Sequence, residues 1–190
     1  MCCAVAVFLL LFVSPFCALG SALFTARVVH HVLLATVLAP LLVAAFGTRR
    51  WQTGISLPLM TAAQAAILWA WHAPQLYEAA LSSDAIFWTM QISITVSSAC
   101  WWAELRRSEP IAAVAALLAT MVQMGVLGAL LTFAGRAFYA PHTFGAVAWG
   151  FTPLEDQQIA GLVMWAPASA IYLMVATVTL YRFLTPQPAK

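Results

Sequence analysis

The chain has 190 residues, of which 64% are hydrophobic and only 7% are Asp, Glu, Lys or Arg. About a quarter of the residues of an ordinary soluble domain are charged, so this chain cannot cover its own surface with well-solvated groups. The formal net charge of +2, with no Lys/Arg run interleaved with aromatic residues, argues against a nucleic-acid-binding protein. We therefore expect the outer surface to contact the lipid bilayer.

The first 24 residues resemble the core of a signal peptide, but no Lys or Arg precedes the apolar run, which is long enough to span a bilayer. We interpret this segment as a retained helix. The four cysteines lie in apolar segments without CxxC spacing, which is typical neither of a disulfide framework nor of a zinc site.

Six windows without Asp, Glu, Lys or Arg follow one another along the chain, each 17 to 23 residues long. This length matches a hydrocarbon core of ~30 Å at ~1.5 Å per helical residue. Because backbone groups in lipid must bond within their own segment, the windows predict helices. The expected fold is all-α, a single integral membrane domain over 1–190 with about six transmembrane helices. The predicted helices lie near 4–24, 28–46, 55–72, 85–103, 111–134 and 153–183.

The distribution of Lys and Arg predicts the orientation of these helices. The side that holds both termini carries six of the eight basic residues: Arg49, Arg50, Arg106, Arg107, Arg182 and Lys190. The opposite side carries only Arg27 and Arg136. Since cytoplasmic loops are enriched in Lys and Arg, we expect both termini in the cytoplasm.

This orientation brings all four histidines to the outer side. His30 and His31 begin helix 2, His72 ends helix 3, and His142 lies in the loop between helices 5 and 6. Two methionines belong to the first outer turns of helices 4 and 6. Imidazole together with thioether suits copper, especially cuprous copper. The candidate metal ligands are His30, His31, His72, His142, Met90 and Met164.

Three of the four histidines also have a plainer interpretation. His30 and His31 could form a half-solvated interfacial pair without a ligand. Because adjacent helical residues point about 100° apart, only one of the two readily shares a site with helix 3. His72 lies next to two tryptophans and before Pro74, which favours, for this residue alone, a place in the interfacial belt.

The outer acidic residues are interpreted mainly as helix caps. The segment from Thr152 to Glu155, with Pro153 at the first helical position, is typical of a capping box. Asp156 shares that turn without the capping role and is therefore freer to act at a site. Asp84 follows two serines and is expected to be a cap.

Two stripes of polar or small residues are most simply explained by helix packing. One lies on helix 4 and comprises Gln91, Thr95 and Ser98; the other lies on helix 5 and comprises Met121, Gly125, Gly128 and Thr132. No Ser-His-Asp spacing, phosphate-binding glycine loop or pair of catalytic carboxylates is present. No charged residue is expected at mid-membrane depth, which argues against active transport. We predict no catalytic residues and no enzymatic activity.

Several stretches carry a resemblance to a known family: SPFCALG (14–20), ARVVHHVLL (26–34) with Ala39-Pro40 after it, WHAPQLY (71–77), GALLTFA (128–134) and TPLEDQQIAGLVMW (152–165). They resemble the CtaG-like family of cytochrome c oxidase assembly factors, and the last stretch is the most specific. The resemblance implies a multi-pass protein of the bacterial inner membrane. It also implies a role in maturing haem-copper oxidases by supporting copper delivery from the outer side, with oxidase subunits or copper chaperones as partners.

The chain departs from the family pattern at two places. Much of the family has two histidines four residues apart at the start of helix 2, whereas here Arg27 precedes His31 and His30 is additional. An acid-histidine pair of the outer part of helix 4 is replaced by the residues at 89–91. The resemblance thus implies a shorter, diverged member, in which Arg27, Gln91 and Asp156 are further site candidates.

Three hypotheses follow. The first is an assembly factor that holds copper transiently, or holds an assembly partner, at the outer face. The second is an accessory or scaffold subunit of a respiratory complex that binds no metal, and the third is a metal or haem transporter. A second copy of the chain is a further candidate partner.

Overall fold

The computed structural model describes residues 1–185, so Lys190, which entered the prediction of orientation, lies outside the described residues. Within 1–185 the chain is helical, with no strand. Its nine helices are α1 (Cys2–Phe12), α2 (Pro15–Ala22), α3 (Phe24–Phe46), α4 (Leu57–His72), α5 (Pro74–Ser82), α6 (Asp84–Leu105), α7 (Pro110–Thr132), α8 (Thr143–Ala148) and α9 (Pro153–Leu184). Short 3-10 turns, Thr48–Trp51 and Ala140–His142, lie between them.

The all-α architecture is confirmed, but only part of the expected membrane topology is. Three helices, α3, α7 and α9, are long and apolar enough to cross a bilayer, and a fourth span exists if α1 and α2 count as one. Helix α4 has 16 residues and is shorter than a full span. Helix α6 is long enough but carries many hydroxyl and amide side chains, which lower its hydropathy. Large apolar side chains such as Leu59, Val122 and Met174 are exposed, as a membrane protein requires.

The first predicted helix, 4–24, is broken into α1 and α2, which meet at an angle of 43°. The break has a local cause. The Ser14 side chain accepts a hydrogen bond from the Phe16 amide and caps α2, and Pro15 takes the first helical position, where its missing N–H costs nothing. The short helices α5 and α8, which the sequence did not predict, lie in the connections.

Two long helices change their hydrogen-bonding pattern close to a proline. Helix α3 contains a π-helical segment, Leu34–Leu38, just before Pro40, and α9 contains another, Met164–Ala168, around Pro167. A proline inside a helix removes one donor and crowds the preceding turn, and a π segment relieves that crowding. Both helices therefore continue past the proline.

Contacts between helices define two ends of the bundle. Asp156, at the start of α9, accepts a hydrogen bond from the Phe24 amide at the start of α3, so both helices begin at the same end of the bundle. Trp102, near the end of α6, donates to the carbonyl of Ala35 in α3. We call the end with the starts of α3 and α9 the histidine end, and the opposite end the arginine end. The arginine end carries Arg49, Arg50, Arg106, Arg107 and Arg182.

Helices α7 and α9 pack with their backbones in close approach at two glycines. A Cβ atom built on Gly128 would lie 2.7 Å from the carbonyl oxygen of Gly161. One built on Gly161 would lie 2.6 Å from the carbonyl oxygen of Gly128 and would also collide with the Thr132 hydroxyl. The stripe of small residues predicted on helix 5, which is α7 in the structure, is thus confirmed as a packing feature. It packs against another helix of the same chain, α9.

Substituting either glycine should separate α7 from α9. We expect Gly128→Ala or Gly161→Ala to destabilise the protein by ~1–3 kcal/mol, because the added methyl group meets backbone that cannot move aside. Gly125→Ala is the matched control, since its Cβ would lie 3.6 Å from Trp165, an ordinary contact. Thermal unfolding in detergent, followed by circular dichroism, measures the difference. Equal melting temperatures for Gly128→Ala and Gly125→Ala would contradict the close approach.

Candidate functional site at the histidine end

The four histidines lie at one end of the bundle, and all four are buried. Contacts join them through shared neighbours: His31 lies beside both His30 and His72, and Phe24 contacts both His72 and His142. The interpretation of His72 as an interfacial belt residue is wrong, because its ring is enclosed by protein.

His31 and His72 form the closest histidine pair. Their ring centroids lie 5.7 Å apart with the planes at 81°. The Nδ1 atom of His72 lies 2.7 Å from the carbonyl oxygen of Leu68, which can only accept, so Nδ1 carries the proton and Nε2 keeps its lone pair. The Nε2 atom of His72 has no hydrogen-bond partner among the described residues, and both ring nitrogens of His31 also lack one. A buried polar atom without a partner costs about 1–3 kcal/mol, so this pair is suited to a ligand.

His30 adjoins this pair on α3, and neither of its ring nitrogens has a hydrogen-bond partner among the described residues. Its ring stacks on Phe16 at 5.9 Å and meets the edge of Phe12 at 5.3 Å between centroids. Helices α1 and α2 thus enclose His30 with aromatic rings. Its centroid lies 6.3 Å from that of His31.

His142 belongs to a second group, built around Tyr77 of α5. The Tyr77 hydroxyl and His142 Nε2 lie 2.6 Å apart. Burial lowers the pKa of the His142 imidazole and raises the pKa of the Tyr77 phenol, so both groups are neutral and the phenol can donate to Nε2. Tyr139, whose pKa burial also raises, donates to the carbonyl oxygen of His72 at 2.7 Å. These two tyrosines and Phe24 were not predicted, since no local motif marks them.

The two methionines are buried in the apolar core. Met90 lies in the second turn of α6, whereas Met164 lies in the π segment of α9, about three turns below the start of that helix. Among residues 1–185, no three His, Cys, Asp or Glu side chains are close enough to hold one metal ion together. Of the six predicted metal ligands, His31 and His72 therefore form a pair, and the other four lie outside that pair.

Arg27 is fully buried one turn above the histidine pair, with no carboxylate within 4 Å among the described residues. Its Nε donates to the carbonyl oxygen of Gly20 at 3.1 Å, and its guanidinium lies 4.9 Å from the centroid of the Phe87 ring. Gly20 leaves the necessary room, because a Cβ there would lie 3.1 Å from the guanidinium carbon. A permanent positive charge is thus held within the histidine end.

Asp156 has a different role from the expected one. Both carboxylate oxygens accept backbone hydrogen bonds, from the Phe24 amide at 2.7 Å and the Thr25 amide at 3.0 Å. The residue caps α3 from another helix and is not free. The neighbouring Glu155 forms the predicted capping box with Thr152. The expectation for Asp84 is wrong, because no side-chain capping hydrogen bond forms at the start of α6.

Gln91 lies in the interior of the bundle, as the polar stripe on its helix predicted. Neither its amide nitrogen nor its amide oxygen has a hydrogen-bond partner in the described part of the chain. Ser98, two turns further along α6, is likewise buried and unpartnered. Thr95 instead donates to the carbonyl oxygen of Gln91 in its own helix.

Removal of the Asp156 cap should loosen the start of α3. We expect Asp156→Ala to destabilise the protein by about 2 kcal/mol, since two buried amides lose a charged acceptor. Glu155→Ala, in the same turn but exposed, should have a smaller effect. Thermal unfolding of the purified variants measures both. An Asp156→Ala protein as stable as the Glu155→Ala protein would contradict the capping role.

A protein-family model described as "Cytochrome c oxidase caa3 assembly factor (Caa3_CtaG)" matches residues 2–185. The match covers nearly the whole chain and confirms the resemblance seen in the sequence. Neither a curated protein nor a solved structure gives a significant match.

Proposed function

The chain belongs to the cytochrome c oxidase caa3 assembly factor family, and on that premise we propose that it supports oxidase maturation by holding copper transiently at the His31–His72 pair. The observation that carries this proposal is the pairing of two buried imidazoles, from α3 and α4, in which three of the four ring nitrogens have no hydrogen-bond partner among the described residues. The copper ion is cargo, received and passed on. The role is non-catalytic.

The chemistry of the pair suits a soft cation. A neutral imidazole nitrogen with a free lone pair is a common metal ligand, and histidine sites suit copper. The hydrogen bond from His72 Nδ1 to the Leu68 carbonyl orients the ring, as outer-shell partners of metal-binding histidines do. Because no three His, Cys, Asp or Glu side chains of the described residues are close enough to hold one metal ion together, the site would favour release over permanent retention.

The distribution of charge supports delivery of copper from the outer side. We propose that the arginine end faces the cytoplasm, since its five arginines outnumber the basic residues of the histidine end. The bent pair α1–α2 together with α3, α4, α6, α7 and α9 would then make six crossings of a bacterial inner membrane. The histidine pair would lie close to the outer face, where an oxidase subunit or a copper chaperone could reach it.

The scaffold hypothesis has less structural support than it had from the sequence. A scaffold could pack against its partner through the stripe of small residues on α7, but Gly128 of that stripe meets Gly161 of α9. A transporter would need ionisable groups along a path through the bilayer. The buried histidines, Arg27 and Asp156 all lie at one end, and the buried polar groups further along α6, Gln91 and Ser98, are uncharged.

Copper titration of the purified protein in detergent tests the metal-binding role. We expect the wild type to bind cuprous copper, and His31→Ala or His72→Ala to weaken that binding by about tenfold or more, because each removes one of two ligands. His142→Ala is the matched control, since it removes a buried histidine of the same end that is paired with Tyr77. Unchanged affinity in a His31→Ala/His72→Ala double variant that keeps its circular dichroism spectrum would exclude copper binding by the pair.

Association with the oxidase separates assembly from a permanent structural role. We expect the chain to co-purify with copper-poor oxidase precursors and to dissociate from the mature enzyme. The measurement is affinity purification followed by metal analysis of the captured oxidase. Stable capture of fully metallated oxidase would favour an accessory subunit instead.

A further inference from the structure

A groove of about 490 Å³ lies at the arginine end, where four helices meet. Pro40 of α3, Leu105 of α6, Ala113 of α7 and Val175 of α9 supply apolar wall. Exposed Arg106 and half-buried Ser108, in the turn between α6 and α7, also line the groove, and we call this polar side its mouth. None of the four histidines lines this groove.

The groove has an identifiable origin in the sequence. Helix α3 passes through its π segment and reaches Pro40 at this level, and Pro40 contributes only its compact ring to the wall. Ala113 contributes only a methyl group to the facing wall. These small side chains leave space between the helices, and part of the apolar surface is uncovered there.

This turn contains two arginines, and only Arg106 has no ion-pair partner among the described residues. Arg106 is therefore free to bind a ligand. The neighbouring Arg107 lies 3.5 Å from Glu104, which makes a salt bridge, whereas Arg106 is exposed and has no carboxylate within 4 Å. The arginine end as a whole carries five arginines against Glu104 and Glu109. A ligand at the mouth of this groove therefore meets net positive charge.

We propose that this groove binds an anionic phospholipid, with its phosphate beside Arg106 and an acyl chain against the apolar walls. An arginine at the end of a helix lies at the depth of the headgroups, and the uncovered wall below it lies within the hydrocarbon region. A zwitterionic lipid would bring its own cationic group towards the arginines. Free phosphate would leave the apolar walls uncovered, so neither matches the groove as well.

The proposal is tested by measuring lipid binding to the protein and to variants in which one of two adjacent arginines is replaced. Native mass spectrometry from detergent would compare retention of phosphatidylglycerol with that of phosphatidylcholine. We expect wild type and Arg107→Gln to prefer the anionic lipid by about fivefold, and Arg106→Gln to lose that preference. Equal loss in both variants would show diffuse surface charge and would overturn the site, as would equal retention of the two lipids by wild type.

A second pair of variants tests the apolar part of the groove without a change of charge. Thr179→Trp fills the groove from α9, whereas Val178→Trp places the same side chain on the neighbouring exposed position. We expect only Thr179→Trp to reduce retention of phosphatidylglycerol. If glycerol phosphate competes as well as the lipid, or if both variants retain the lipid as wild type does, the occupant is not a phospholipid held in this groove.

Discussion

The hydrogen bonds from the Phe24 and Thr25 amides to the Asp156 carboxylate determine how the histidine end is assembled. The first amides of any helix lack partners within that helix, and in a protein interior they must find an acceptor. Helix α9 supplies one from more than 130 residues away in the chain. A carboxylate also suits the positive end of the α3 dipole. Because Arg27, His30 and His31 occupy the turns that follow, their depth in the bundle depends on this contact.

Two tyrosines tie the remaining elements to the same level. Tyr139, in the connection between α7 and α8, donates to the carbonyl oxygen of His72 at the end of α4. Tyr77 of α5 bonds His142 from the same connection. Phe24 packs between these rings, with its centroid 3.9 Å from that of Tyr139. Loops and helix ends that would otherwise move independently thus enclose the buried imidazoles.

The features that could be predicted from the sequence are those with local causes. Windows without charge located the long helices, and the spacing from Thr152 to Glu155 predicted a capping box that the structure confirms. The break at Ser14 and Pro15 also had a local signal, which the hydropathy of the window outweighed. The alternation of arginines between the two sides placed the four histidines at one end.

What could not be predicted depends on contacts between distant segments. Asp156 looked free because its acceptor role is directed at another helix and not at its own. His72 looked interfacial because the tryptophans beside it in sequence suggested a belt, whereas Tyr139 and Phe24 enclose it. The division of the histidines into separate groups follows from helix rotation and packing together. Periodicity alone indicated only that His30 and His31 point in different directions.

Arg27, at the start of α3, has the largest chemical consequence for a metal ion at the histidine end. It lies one turn before His31, and a guanidinium offers donors but no lone pair to a metal ion. Its fixed charge lies in a region of low polarity with no carboxylate within 4 Å among residues 1–185, so it opposes the approach of any cation to the nearby imidazoles. A copper ion at the His31–His72 pair would thus have few protein ligands and a repulsive neighbour. Both effects weaken retention and favour transfer to an acceptor that offers more ligands, which is the direction that assembly of a copper enzyme requires.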